Sequence, residues 1–140
     1  MRVEIYWNLH KRLFSVRALE GEHKGRVIAH SYGICLVRAK FVVQPAGRER
    51  VRRENKKNVH AFVRGQIVDR AWAVVGFSRR CPSRRPVNIT YNPYMHDSFV
   101  NFDTKSPVYK SDLVWMDVML DKENSYPRIR ALDNRQIKEL

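Results

Sequence analysis

The chain has 140 residues, 44% of them hydrophobic, a composition that fits one globular domain with a real core and excludes a disordered chain. Lysine and arginine number 27 against 14 acidic residues, a net charge of +13. No apolar run is long enough to span a membrane, and the start, MRVEIYWNLHKR, lacks the apolar stretch of a signal peptide.

The charge is concentrated. Residues 1–37 carry a net +3, residues 38–85 a net +11 and residues 86–140 a net −1. A field of that kind attracts phosphates, as nucleic acid, nucleotides or anionic lipid. A soluble basic face with no ligand is the plainer alternative, but clustering on one segment argues against it. Two cysteines, Cys35 and Cys81, lack CxxC or metal-ligand spacing and read as reduced thiols of a cytosolic protein.

In chain order, VEIYWN is rich in strand formers and NLHKR interrupts it as a loop. LFSVRAL alternates, with Phe14, Val16 and Ala18 on one face and Leu13, Ser15 and Arg17 on the other. EGEHKG is a polar turn, and RVIAHSYGICLVRAKFVV predicts two or three strands with a bulge or bend at Gly33. QPAGRERVRRENKKN breaks the pattern. Pro45 suits a first helical turn, and the following Arg, Glu and Lys predict one short basic helix over 45–57.

NVHAFVRGQIV returns to strand, and AWAVVGF is a short apolar run of the buried-strand kind. SRRCPSRRP, Ser78 to Pro86, is a basic loop. VNITYNP, SFVNFD, LVWMDVML and RIRAL predict four further strands, with DKENSYP as a turn and residues 133–140 as a polar tail. The sum is a single mainly β (α+β) domain, an antiparallel sheet with one basic helix.

No catalytic signature is present: no nucleophile elbow, no glycine-rich phosphate loop and no HExxH. His96-Asp97 is too small a set for a metal site and reads as a hydrogen-bonding turn. The basic helix has a different promise. Arg48 and Arg50 follow Gly47 near the helix start, where guanidinium forks and free N–H groups both suit an anion; a solvated charged surface is the alternative. The stretch ITYNPYMHDSFVN adds rings and amides. Aromatic rings stack on bases and asparagine pairs with a base edge, so amide, ring and arginine together describe a nucleotide pocket. Core packing accounts for the rings, and Asn-Pro is also an ordinary turn.

The segments IYWNLHKRLFSVRA, FVVQPAGRERVRRENKKNVHAFVRG and ITYNPYMHDSFVN…SPV resemble the Thoeris anti-defence family one, small phage proteins that act as sponges. The resemblance runs from Arg2 to Val108. It implies a non-enzymatic protein of the host bacterial cytoplasm that sequesters a cyclic ADP-ribose isomer and so blocks Thoeris immunity. It also implies a β-rich fold, a homo-oligomer (dimer or higher) with pockets shared between protomers, cyclic oligonucleotides as further ligands, and no metal or cofactor. The matching motifs carry ligand-binding roles onto Tyr91, Asn92, Phe99, Asn101, Arg48 and Arg50. A family arginine near the C-terminus corresponds to Arg128 or Arg130, and Arg130 is taken as the candidate. The loop Ser78–Pro86 and the tail depart from the family pattern. The competing expectation is a phage nucleic-acid-binding protein that uses residues 38–85; a hydrolase of the signal would differ from both by turnover.

Overall fold

The computed structural model describes residues 1–68, 86–121 and 124–132. Strands β1 (Arg2–Asn8), β2 (Leu13–Ala18), β3 (Val27–Ser31) and β4 (Gly33–Val43) precede helix α1 (Pro45–Glu54). Strands β5 (Ala61–Val68), β6 (Pro86–Thr90), β7 (Val100–Asn101), β8 (Lys110–Asp121) and β9 (Asn124–Leu132) follow it. They form one antiparallel sheet in the order β3-β2-β1-β5-β4-β8-β9-β6-β7. The fold is therefore mainly β, with one short helix among the described residues, as the residue patterns predict. Among the described residues no helix is long and apolar enough to cross a membrane. The expected strand at AWAVVGF, the loop at 78–85 and the tail at 133–140 lie outside the described residues.

The sheet is strongly curled. Laid flat, at about 4.8 Å between strands, β1 and β6 would stand about 24 Å apart. Instead residues of both strands join one apolar cluster with Phe14, Leu36, Phe41, Phe99 and Met116. The Arg12 side chain, in the β1–β2 loop, hydrogen-bonds Ser125 of β9, with its Nε 2.9 Å from the Ser125 Oγ. The concave face is apolar. The convex face carries charge: Glu4, only 4% exposed, pairs with Arg64 at 2.7 Å and Arg17 at 3.2 Å, so one carboxylate ties β2, β1 and β5 together. Arg17 also lies over the Tyr6 ring, 5.4 Å from its centre.

Two departures from the sequence expectations have clear causes. The bulge of the β4 hairpin region is not at Gly33, which simply opens β4 after a bend at Tyr32; the register shifts between Val37 and Lys40. Arg38 there takes a left-handed φ of 53°. Unbroken alternation from Ile34 and Leu36 would turn Arg38 and Lys40 into the core. The bulge resets the phase, and Ala39 and Phe41 are buried instead. The helix ends three residues before the expected 57, because Asn55 adopts φ 53° and its N–H closes on the Val51 carbonyl.

The turn predicted at DKENSYP is tighter than expected, since Asn124 to Pro127 already belong to β9. Pro127 is tolerated there for a definable reason. Its partner Val118 sends its N–H the other way, to the Tyr32 carbonyl at 3.0 Å. On its far side β9 pairs with β6 only from Ile129 onward, so the missing N–H of Pro127 breaks no ladder bond. The expected strand SFVNFD shrinks to Val100–Asn101.

Gly65 lies against the bulge. A Cβ there would stand 2.9 Å from the Val37 carbonyl oxygen and 3.2 Å from the Ala39 Cα. Both are backbone atoms that cannot step aside. Gly65→Ala is expected to destabilise the fold by about 1–3 kcal/mol, seen as a lowered melting temperature; an unchanged melt would refute this packing account.

Candidate ligand-binding site

Three segments meet at one end of the curled sheet. The end of β1 supplies Trp7, the stretch after α1 supplies Asn55, Lys57, Asn58 and His60, and the turn after β6 supplies Tyr91, Pro93 and Tyr94. Between them is an open pocket of about 670 Å³. Each wall has a local cause. The helix stops at the left-handed Asn55, which turns the chain back across the pocket toward β5. Gly47 lets the helix sit on the next wall: a Cβ at that position would come within 2.5 Å of the His60 Cβ. Pro93 keeps Asn92 out of helical geometry, and the turn closes with the Asn92 carbonyl accepting from the N–H groups of Met95 and His96.

A polar relay fixes the floor. The Tyr91 hydroxyl is 2.6 Å from His60 Nε2, and His60 Nδ1 is 2.8 Å from the Asn58 carbonyl. A carbonyl only accepts, so Nδ1 carries the proton and donates; Nε2 then accepts from the tyrosine. Burial pushes the Tyr91 phenol up to about 12, with the Arg48 guanidinium pulling it down and Asp97 pushing it up. The phenol therefore stays protonated and able to donate at neutral pH. Behind it the rings continue into the core, Tyr91 to Phe99 at 5.3 Å and Phe99 to Phe41 at 5.2 Å. At the mouth, the Tyr94 hydroxyl donates to Asn55 Oδ1 at 2.7 Å and joins two walls.

The seven residues expected to bind ligand separate into groups. Tyr91 lies in the pocket wall, Asn92 in the adjoining turn, and Arg48 close enough to influence the Tyr91 phenol. The Arg48 Nε is buried and has no hydrogen-bond partner among the described residues. Phe99 is buried in the core and backs Tyr91 without facing the pocket. Asn101 is buried too, and its Oδ1 accepts from the N–H groups of Asp103 at 2.9 Å and Thr104 at 3.2 Å, an arrangement that shapes a turn.

Arg50 is solvent-facing and bonded to Glu54 at 3.2 Å. Arg130 is on the convex side of β9 beside Asp117, at 3.5 Å, away from this pocket. Its neighbour Arg128 makes two bonds to Asp117, which hold the Arg128 guanidinium more firmly protonated. His96 is part of the turn, its ring nitrogen accepting from the Asn92 N–H at 3.3 Å.

Sequence reasoning missed Trp7, Asn58 and His60 as pocket residues, and it left Lys57 and Tyr94, which stand in the basic and ring-rich stretches it marked, out of its chosen binders. Trp7 reads as a strand former, and only the curl turns it toward Tyr91. The run Lys57-Asn58-Val59-His60, packed with polar groups directly after a helix, was the available signal. The side-chain amide of Asn58 and the Nδ2 groups of Asn55 and Asn92 make no hydrogen bond among the described residues. No cluster of three or more His, Cys, Asp or Glu that would hold a metal is found among the described residues. What remains is a cleft with rings on two walls, unused amides and cations at its edge. It is equipped to stack a flat ring, pair with its edge and attract an anion.

The raised phenol has a measurable consequence. Its folded-state pKa of about 12 lies above the ordinary value near 10, so this group's contribution to stability is full below pH 10 and is lost as the pH climbs toward 12. Tyrosinate absorbance should show one of the six tyrosines titrating late, and Tyr91→Phe should remove that phase. Six phenols titrating together in the folded parent protein would contradict the buried relay.

A family model described as the Mycobacterium phage L5 gene 82 protein matches residues 1–124. The gene 82 protein of Mycobacterium phage L5 is 41% identical over 122 residues, covering 83% of this chain and 90% of that protein. No solved structure matches. The pocket walls fall inside the matched span, whereas Arg128 and Arg130 lie beyond it.

Proposed function

The chain belongs to the family of the Mycobacterium phage L5 gene 82 protein, and from that premise we propose that it is a phage protein that captures a small anionic nucleotide without transforming it. The observation that carries the reading is the 670 Å³ pocket, whose size is that of a small-ligand site and whose walls combine rings, unused amides and Lys57, with Arg48 near enough to act on Tyr91. A base would stack against Trp7, Tyr91 or Tyr94. Asn58 and Asn92 offer amides to its edge or to a ribose. Lys57 and Arg48 offer charge to phosphates, within a segment of net +11. Both nitrogens of His60 are committed to protein partners, which favours a positioning role over proton transfer.

The finer form of the proposal is a sponge for a cyclic ADP-ribose isomer that keeps a host immune signal from its receptor. Its support is the resemblance of the ITYNPYMHDSFVN and AGRER segments to the Thoeris anti-defence proteins, together with a pocket that has charge for a pyrophosphate beside surfaces for a base. A second reading has its own observation. The helix turns Arg52 and Arg53 to solvent with Lys56 next to them, a surface fit for a polynucleotide backbone.

The test begins with capture. The protein is incubated with cyclic ADP-ribose isomers and ADP-ribose, washed and heat-denatured, and the released compound is identified by mass spectrometry. Intact ligand in about one-to-one ratio is expected; hydrolysed ligand with many turnovers would replace capture by catalysis. In calorimetry, Lys57→Ala and Asn58→Ala should each weaken binding roughly ten- to hundredfold, while Arg53→Ala binds like the parent. Loss confined to Arg53→Ala, with a steep salt dependence, would transfer the function to a polynucleotide.

A further inference from the structure

Beneath the polar pocket the structure holds a second space of about 190 Å³ inside the concave face of the sheet. Ile5, Phe14, Val63, Phe99, Met116 and Ile129 surround its inner part. Trp7, Ala61 and Tyr91 line both spaces, so the two adjoin at a neck made of two rings and one methyl group; Tyr6 borders both as well, but its ring lies on the convex face against Phe62 and Arg17. Among the described residues no charged side chain borders the inner space, and the Tyr91 hydroxyl at its edge is already bonded to His60.

The space is a half-open cleft of the concave face, with a mainly apolar lining, not a sealed void of the core. Water gains little there, since it needs two to four polar partners. An apolar cavity of about 150 Å³ binds benzene or xenon. The rings at the neck present flat faces and edges suited to another ring, as in the 5.1 Å edge-on pair of Trp7 and Phe14.

We propose that this chamber is an apolar subsite that takes a flat, uncharged ring of about benzene to indole size, entering from the polar pocket between Trp7 and Tyr91. A nucleobase is a poor occupant. Its ring nitrogens and exocyclic groups would lose their hydrogen bonds to water and find few in return. The chamber therefore divides the labour with the pocket above it, which has the amides and the charge. This inference stands on the cavity alone and is independent of the nucleotide reading.

The probes are benzene, indole and adenine, each added to the whole protein and followed by thermal melting and by calorimetry. Benzene or indole at saturation should raise the melting temperature by about 2–5 °C, and adenine should not do so through this chamber. Two filling variants, Ala61→Leu at the neck and Ile129→Phe on the inner wall, should abolish the benzene and indole response. They approach the space from opposite strands, so one remains informative if the other folds poorly. Absence of any benzene or indole binding to the parent overturns the proposal. So does binding that persists in both folded variants, since the probe would then occupy another place. The outcomes are separable from the capture test: ring binding can succeed where every nucleotide fails, and the reverse.

Discussion

The curl of the sheet is the constraint on which the rest depends. A flat nine-stranded sheet would leave one apolar face open to water along its whole width. Rolling the face inward lets Val3 and Ile5 of β1 share a core with Ile89 of β6 and with Phe99. The gain is hydrophobic burial at about 25 cal/mol per Å² of apolar surface. The means are local. The β4 bulge at Arg38 increases the bend without exposing the core phase, and Gly65 supplies the close backbone approach opposite it. On the outside Glu4, held by Arg17 and Arg64, clamps three neighbouring strands. That carboxylate is nearly enclosed, so removal of either arginine would leave charge with less compensation in a poor solvent.

The same curl builds the pocket. His60 precedes β5 and Tyr91 follows β6, with three strands between β5 and β6 in the sheet order, yet their side chains stand 2.6 Å apart. The relay they form runs along the seam where the rolled sheet comes closest to closing. A seam of this kind cannot be packed like the middle of a sheet, because there is no ladder across it. Side chains of three segments meet there instead, and the gaps between them become the polar pocket and the apolar chamber. The basic helix lies beside this opening, with Val51 as its buried anchor and Gly47 fitted against His60. Its charge therefore stands to one side of the opening, where it adds a positive field to the cleft.

Local pattern and tertiary context contributed unequally. Alternation in LFSVRAL and the turn chemistry of EGEHKG are visible within a few residues, and the structure has β2 and a glycine-containing turn at those places, with Gly21 and Gly25 at positive φ. The helix start at Pro45 is equally local. Its end is less so: Lys56 and Lys57 are acceptable helix formers, and it is the left-handed Asn55 that stops the helix before them. The position of the bulge was hidden because a bulge shows only as a conflict between a strand's phase and the core it must face. Arg38 and Lys40 carry that conflict, but which face is the core depends on neighbouring strands.

By itself the amino-acid sequence determined the mainly β class, the single basic helix and the concentration of charge in the middle of the chain, all set by short-range periodicity, backbone preference and composition. It also marked Tyr91 and Asn92, because their stretch combines rings and amides within a few positions. Only the tertiary structure decided that Phe99 backs the pocket from inside the core, that Asn101 shapes a turn, and that Arg130 faces away beside Asp117. Only it brought Trp7, Asn58 and His60 to Tyr91. The physical reason is that the roll of the sheet sums small twists over many strands, and no segment contains that sum. Residues distant in sequence become neighbours through it, and whether an asparagine, arginine or ring serves a ligand or the fold is settled by which groups have already taken its hydrogen bonds.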